Sequence, residues 1–346
     1  MTKGVVINMI CNELQIVEPP VLSYLHHAYP LTAAQAHKDF FSWFYSNYIQ
    51  LEFDLNISRL NFFTHVIFGN NIYCPIVDYK VIDLEFLSLS RINIIDFIVD
   101  SINMGYYVTT YLDEYYIPER ISYYKFHYKH DVMIFGYDLS KSVFKIIGFN
   151  DKQQYSASYV SFSEFENSYT NCIDKKNDVI LFKAKDELSY EPSFSFDIVN
   201  VINLLEDYYF SRDTSERLRI FNNPKKDFIY GMSIYNELIK YFKAIIENDK
   251  KDMDIIQLHL LWEHKKCMVS RIKYLISNNF IKKNAILDEY ICLENTVLSL
   301  RNIFIKFFIV KDKKYIEKII TGLGKLQSTE EQLISSLIEN LKLYSY

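Results

Sequence analysis

Residues 104–155 read MGYYVTTYLDEYYIPERISYYKFHYKHDVMIFGYDLSKSVFKIIGFNDKQQY. Alternating aromatic and β-branched residues predict strands over Tyr106 to Leu112, His130 to Tyr137 and Val143 to Phe149, with Asp138 to Lys141 turning the chain between the last two. An antiparallel strand that begins at His130 brings its first residue back beside the end of its partner, at Asn150 and Asp151. An imidazole would then meet a carboxylate. Such a carboxylate fixes the tautomer of the histidine and stabilises its cation, the supporting half of a nucleophile–His–Asp triad.

The composition is that of a folded chain. Of 346 residues, 49% are hydrophobic and 23% charged, and 29 Tyr and 26 Phe against 8 Gly and 7 Pro oppose disorder. The length accommodates two ordinary domains. A formal charge of −5 and the lack of a Lys/Arg stripe argue against a nucleic-acid surface. The first twenty residues are interrupted by Asn and Glu too soon for a signal peptide, and no segment approaches a membrane span. A cytoplasmic protein is the expectation. Five cysteines (Cys11, Cys74, Cys172, Cys267, Cys292) lack CxxC or zinc-ligand spacing and read as reduced, mostly core thiols.

Upstream, residues 4–18 read as a short extended segment ending at Pro19 and Pro20. A helix is predicted from Ala28 or Tyr29, with Pro30 in its first turn. The N-terminus of such a helix suits a nucleophile, because the macrodipole and free N–H groups lower a thiolate pKa and can donate to an oxyanion. That position holds Ala28, and the adjacent His26 and His27 read as loop or surface histidines. Residues 43–68 are of mixed period, and Tyr73 to Asp78 forms an extended piece around Pro75. Asn93 to Asn103 has helical spacing and stops at Gly105. Ser161 and Glu164 form a capping box, and Val179 to Lys183 reads as the last strand.

Beyond residue 190 strand signals fade. Helices are predicted over 197–210, 229–248, 252–278, 284–310, 313–323 and 329–343. The chain is thus α+β: a domain with an antiparallel sheet over residues 1–190 and an α-helical bundle over 191–346. His259 and His264 are five apart and do not share a face as a metal-binding i, i+4 pair would.

The first 190 or so residues resemble the C39-peptidase-like, papain-fold domains of antibiotic and nonribosomal-peptide gene clusters, of which the butirosin-type acyltransferase is the familiar example. The likeness rests on HHAYPLTAA at 26–34, GYYVTTYLDEYYIP at 105–118, HDVMIFGYD at 130–138 and FKIIGFND at 144–151. The resemblance implies a papain-like (C39-like) fold and an amide-bond-forming acyltransferase or amide synthase, with a closthioamide-type amide synthase as one specific match. An acyl group would pass from the thioester of an acyl or peptidyl carrier protein, through a cysteine at position 28, to an amine acceptor. His130 would be the general base and acid, oriented by Asp151, with Asn150 or Asp138 as alternatives. The chain would need no cofactor of its own, the phosphopantetheine arriving on the carrier, and a homodimer is compatible with this reading.

Two departures stand out. Ala28 replaces the family's cysteine, which fits either a natural noncatalytic pseudoenzyme or a nucleophile-to-alanine form; the expected retention of His130 and Asp151 favours the second. The glutamine that often completes the oxyanion hole is absent, leaving backbone N–H groups, Ser23 or Tyr24 for that role. A cysteine-protease-like hydrolase, releasing acid without an amine, is the remaining alternative.

Overall fold

The computed structural model describes residues 9–64, 66–67, 71–172, 178–186, 194–220, 223–248, 253–282 and 285–344. In chain order the first part holds β1 (Cys11–Glu13), α1 (Leu25–Ala34), α2 (Phe40–Asn47), β2 (Leu51–Asp54), β3 (Arg59–Phe62), β4 (Val66–Ile67), β5 (Asn71–Ile72), β6 (Val77–Asp83), α3 (Leu84–Leu89) and α4 (Ile94–Asn103). Then come β7 (Tyr107–Asp113), β8 (Lys129–Asp138), β9 (Val143–Phe149), β10 (Tyr155–Ser161), α5 (Phe162–Asn171), β11 (Asp178–Ala184) and α6 (Ile198–Tyr209). The chain continues with β12 (Phe228–Tyr230), α7 (Ile234–Asn248), α8 (Ile256–Ser277), α9 (Ile286–Val310) and α10 (Lys314–Tyr344). The class is α+β with antiparallel sheets.

Two compact units result: Met1–Lys38 with Val66–Glu191, and Asp39–His65 with Pro192–Tyr346. This differs from a single cut at residue 190, which itself falls among residues outside those described. The transferred segment, Asp39–His65, belongs with the second unit because β2 pairs with β12 as well as with β3. Gln257 of α8 also ties into it, donating from Nε2 to Ser58 O and accepting from Leu60 N.

The first unit is built on the sheet order β10-β9-β8-β7-β11-β6. β8 is long enough to serve two partners along one edge: β7 pairs with Lys129 to Ile134, and β1 pairs with Gly136 to Asp138. Apolar residues of β7, β8 and β9 such as Val108, Ile134, Phe144 and Ile146 pack with Ile98 and Ile102 of α4 and Phe165 of α5. Burying such side chains contributes about 1.5–3 kcal/mol each. Local signals hold these helices in place: Asn93 Oδ1 caps α4, and Ser161 and Glu164 form the reciprocal box that opens α5. Of the predicted opening segment, residues 4–8 lie outside the described residues and the strand is Cys11–Glu13. The extended piece near Pro75 is a strand only from Val77, and it runs on to Asp83.

The predicted start of α1 is corrected by one turn. Tyr24 is extended, and its carbonyl accepts from both His27 N and Ala28 N (3.0 Å each), so the helix is already closed at Ala28. Pro30 then lies inside the helix rather than at its first position.

In the second unit the predicted helix 229–248 begins only at Ile234, because Phe228 to Tyr230 are extended in β12. The two predicted helices 313–323 and 329–343 are one, α10. The residues left between the two predictions continue the helix, with Ser328 Oγ and Thr329 Oγ1 donating back to the carbonyls of Gly324 and Lys325. Inside the bundle, Lys265 and Glu330 are both fully buried; Lys265 Nζ reaches both carboxylate oxygens at 2.6 and 2.7 Å. Tyr208 and Tyr235 donate to the same carboxylate, and burial pushes both phenol pKa values well up. Cys74, Cys172 and Cys267 are buried, whereas Cys11 and Cys292 are exposed; all five are free thiols. Among the described residues, no helix is long and apolar enough to cross a membrane.

Candidate functional site

β7 ends at Asp113, whose carboxylate gathers the segment that follows. Asp113 Oδ1 accepts from Tyr115 N and Tyr128 N, and Oδ2 lies 2.6 Å from His127 Nδ1. Glu114 is thereby pinned at the strand end, its own N–H donating to Tyr128 O at 2.8 Å. Leu112 stands opposite His130 in the β7–β8 ladder. Glu114 itself stands just past the strand, at the start of a 3₁₀ turn (Glu114–Tyr116) that brings it to His130.

The result is a His–carboxylate pair. His130 Nδ1 is 3.3 Å from Glu114 Oε1, and Nε2 is 3.6 Å from Asp131 Oδ1. Burial works against protonation of His130, but the hydrogen bond that its ring donates to Glu114 and the charges of Asp131 and Glu114 outweigh it and hold the imidazole above its ordinary pKa. Burial raises the Asp131 carboxyl, with His130 pulling the other way.

The predicted partner of His130 is therefore corrected: Glu114, not Asp151, meets its ring. The cause is a β-bulge. At the turn Asp138 faces Val143, but between Ile134 and Gly136 the register slips by one, so that Ile134 faces Ile146 and Met133 faces Ile147. Continued toward His130, that register brings Asn150 rather than Asp151 across from it, and a one-residue slip reverses every side chain. The side chain of Asn150 is spent on the turn beyond β9, where Asp151 stands exposed. Asn150 Oδ1 accepts from Lys152 N and Gln154 N, and the exposed Asp151 donates its N–H to Glu119 O at 2.8 Å. Asp138, the other alternative, closes the opposite turn by accepting from Ser140 Oγ and Lys141 N.

Ala28 is fully buried, and its N–H is committed to Tyr24 O, so it offers neither a reactive atom nor a free donor. Burial lowers the pKa of its neighbour His26 to about 4. His26 stacks on Tyr24 at 5.2 Å between ring centroids and His27 is fully buried, so neither is a simple surface histidine. Ser23, considered for the oxyanion role, is buried just before the helix. The next residue, Tyr29, links α1 to the histidine strand: its hydroxyl lies 3.3 Å from Asp131 O and 3.1 Å from Ile147 O.

Arg120 completes the group and was not legible in the sequence. It is buried, with Nη1 donating to Phe149 O at 2.9 Å and Nε 3.7 Å from Glu114 Oε1. Ser122 Oγ donates to the other Glu114 oxygen at 3.3 Å. Gly148 allows this convergence, since a Cβ there would stand 3.1 Å from Arg120 Nη2 and 3.2 Å from the Tyr29 hydroxyl. Among the described residues Arg120 Nη2 is buried and makes no hydrogen bond, leaving one guanidinium donor unspent at these strand ends. Glu114 had one sequence signal, an Asp-Glu pair directly after a predicted strand; Arg120 had none.

In the second unit, His264 Nε2 lies 2.7 Å from Ile49 O and Nδ1 faces Lys265 Nζ, while His259 sits 3.4 Å from Glu263. Neither comparison with protein-family models nor comparison with curated proteins finds a match to this chain.

Proposed function

We propose that the first unit is a papain-like acyl-handling module which, with alanine at position 28, binds an acyl thioester without turning it over. The observation that carries this reading is the contrast between a histidine equipped for proton transfer and a buried alanine where a nucleophile would stand. His130 is fixed by Glu114 and keeps a raised pKa. Ala28 has no atom able to attack a carbonyl. The order of parts supports the papain-like assignment: a helix early in the unit, then an antiparallel sheet with the histidine near the start of a strand, the two joined through Tyr29 and Asp131. The unspent Nη2 donor of Arg120 supports binding of a group that carries an acceptor oxygen. Because Asp151 does not orient His130, the argument for a nucleophile-to-alanine form loses its footing, and the alanine is read as it stands.

The Glu114–His130 pair also favours a second reading, amide-bond formation by the same site when residue 28 is cysteine. His130 would take the thiol proton; the thiolate would attack the carrier-bound thioester, and the departing phosphopantetheine thiol would leave with that proton. An amine would then displace the cysteine sulfur, giving the amide and restoring the thiol.

One experiment separates the readings: intact-protein mass spectrometry and calorimetry of the chain and of Ala28→Cys, each with an S-acyl N-acetylcysteamine. Donor binding to the alanine form without an adduct supports the binding module. An acyl mass on the cysteine form, discharged by an amine with amide formed, supports the transferase. No binding and no adduct on either form overturns both.

A further inference from the structure

The turn between α9 and α10 sets exposed aliphatic side chains beside a cluster of lysines. On the last turns of α9, Phe304 and Phe307 are buried in the bundle, whereas Ile305, Ile309 and Val310 are 40%, 79% and 49% exposed. Ile305 and Ile309 are four apart and share the face turned away from those phenylalanines. A lone exposed aliphatic residue needs no explanation, but three at one helix end, next to charge of a single dominant sign, mark an interaction surface.

The charge of this corner opposes that of the chain. Residues 306–318 hold Lys306, Lys311, Lys313, Lys314 and Lys318, all exposed, against the acids Asp312 and Glu317, in a chain of formal charge −5. The turn gathers these lysines at one place: Lys311 takes the left-handed conformation (φ 58°) that stops α9, and α10 starts at Lys314. Aromatic rings then hold the cations at the helix end. Lys306 and Lys314 lie over Tyr315, 5.3 and 5.4 Å from its centroid, and Lys311 lies 5.2 Å from that of Phe308. Lys314 also pairs with Asp312 at 2.6 Å, and Lys313 Nζ donates to Ile246 O of α7, next to the exposed Glu247.

A second copy of the chain meeting this face would set lysines against lysines. A nucleic acid would use the lysines and gain little from Ile309 and Val310. An anionic bilayer uses both, because ammonium groups on long stems reach the headgroup phosphates while aliphatic side chains enter the acyl boundary. We infer that the α9–α10 turn docks this protein on a bilayer surface containing anionic lipid, with Ile309 and Val310 inserted and Lys306, Lys311 and Lys318 on the headgroups. The inference stands apart from the acyl-thioester reading, and failure of either leaves the other intact.

The test is co-sedimentation of the full chain with vesicles of phosphatidylcholine alone and of phosphatidylcholine and phosphatidylglycerol in equal parts, at low and high salt. The expected result is saturable binding to the mixed vesicles only, weakened by salt. Binding should fall about tenfold or more in Lys306→Gln/Lys318→Gln and about tenfold in Ile309→Ser/Val310→Ser. Lys152→Gln/Lys226→Gln removes the same charge from other elements and should bind as the parent does. All the substituted side chains are exposed, so every variant should melt with the parent. Absence of binding to the mixed vesicles, equal binding to phosphatidylcholine alone, or equal weakening by the Lys152/Lys226 pair would overturn the assignment. Dependence on the lysines without dependence on Ile309 and Val310 would make the face a general polyanion surface, and a dimer that Ile309→Ser/Val310→Ser dissociates would make a second copy its occupant; either result overturns it too.

Discussion

Glu114 Oε1 lies 3.3 Å from His130 Nδ1 because the 3₁₀ turn that follows β7 brings Glu114 to the ring of His130, the residue paired with Leu112. The same carboxylate accepts from Ser122 and stands beside Arg120, so one acid organises a histidine, a hydroxyl and a buried guanidinium. Replacing it by Glu114→Gln removes both contributions that it makes to the raised pKa of His130 and leaves burial opposed by Asp131 alone. The His130 titration followed by NMR should move to lower pH in Glu114→Gln and stay in place in Asp151→Asn. A shift in the second variant and none in the first would restore Asp151 as the partner.

The pH dependence of stability follows from the sign of that shift. The folded chain holds the His130 proton more tightly than the unfolded chain does, so the stabilisation is fully present below the unfolded value of about 6.5 and is lost as pH rises through the raised folded value. Urea midpoints of the chain and of His130→Asn should therefore differ more at pH 5.5 than at pH 8.5.

His26 acts in the opposite sense. Its folded pKa is lowered to about 4 by burial, so below pH 6.5 the unfolded chain takes up a proton that the folded chain refuses. The fold should lose stability between pH 6.5 and 4, by at most about 3.4 kcal/mol from this group at 1.36 kcal/mol per pKa unit. Substitution His26→Asn should flatten that part of the acid denaturation curve; an unchanged slope would count against a buried neutral imidazole.

Lys265 and Glu330 are both fully buried, and each is the other's charge partner. Lys265→Met alone strands a carboxylate in the bundle and should cost about 3–5 kcal/mol in chemical denaturation. The double variant Lys265→Met/Glu330→Leu removes both charges and should recover most of that loss. Equal instability of the single and double variants would show that packing, not charge, is what the pair provides.

Gly231→Ala places a methyl group against Tyr208 O at a backbone angle that side chains rarely adopt. A loss of about 1–3 kcal/mol is expected from the strain. A melting temperature unchanged from the parent would mean that the turn after β12 shifts without cost.

Much of this was legible in the sequence for reasons that can be named. The hairpin, the helix at Asn93 and the capping box at Ser161 are local patterns, and each stands where period and capping chemistry put it. Glu114 and Arg120 were missed because their roles arise from the path of residues 114–128, which no alternation or helical period describes. Asp151 was misassigned because strand pairing was counted back from the turn as though the ladder were unbroken, and nothing in Ile134-Phe135-Gly136 announces the extra residue. Asp39–His65 grouped with the wrong unit because its strands find their partner at Phe228 to Tyr230, far along the chain.

That extra residue makes the hairpin a phase shifter. Between the turn and Phe135 the strands are counted in one frame, and between Phe135 and His130 in another, so the two ends of β8 are decoupled in sequence space. Insertions or deletions of one residue near Asp138 can be absorbed by the loop. Deleting Phe135 would join Ile134 to Gly136 opposite Ile146 and Lys145 and keep every pairing, whereas adding one more residue there would turn the segment from Lys129 to Ile134 over and carry His130 away from Glu114 while every residue of the pair remained in the chain.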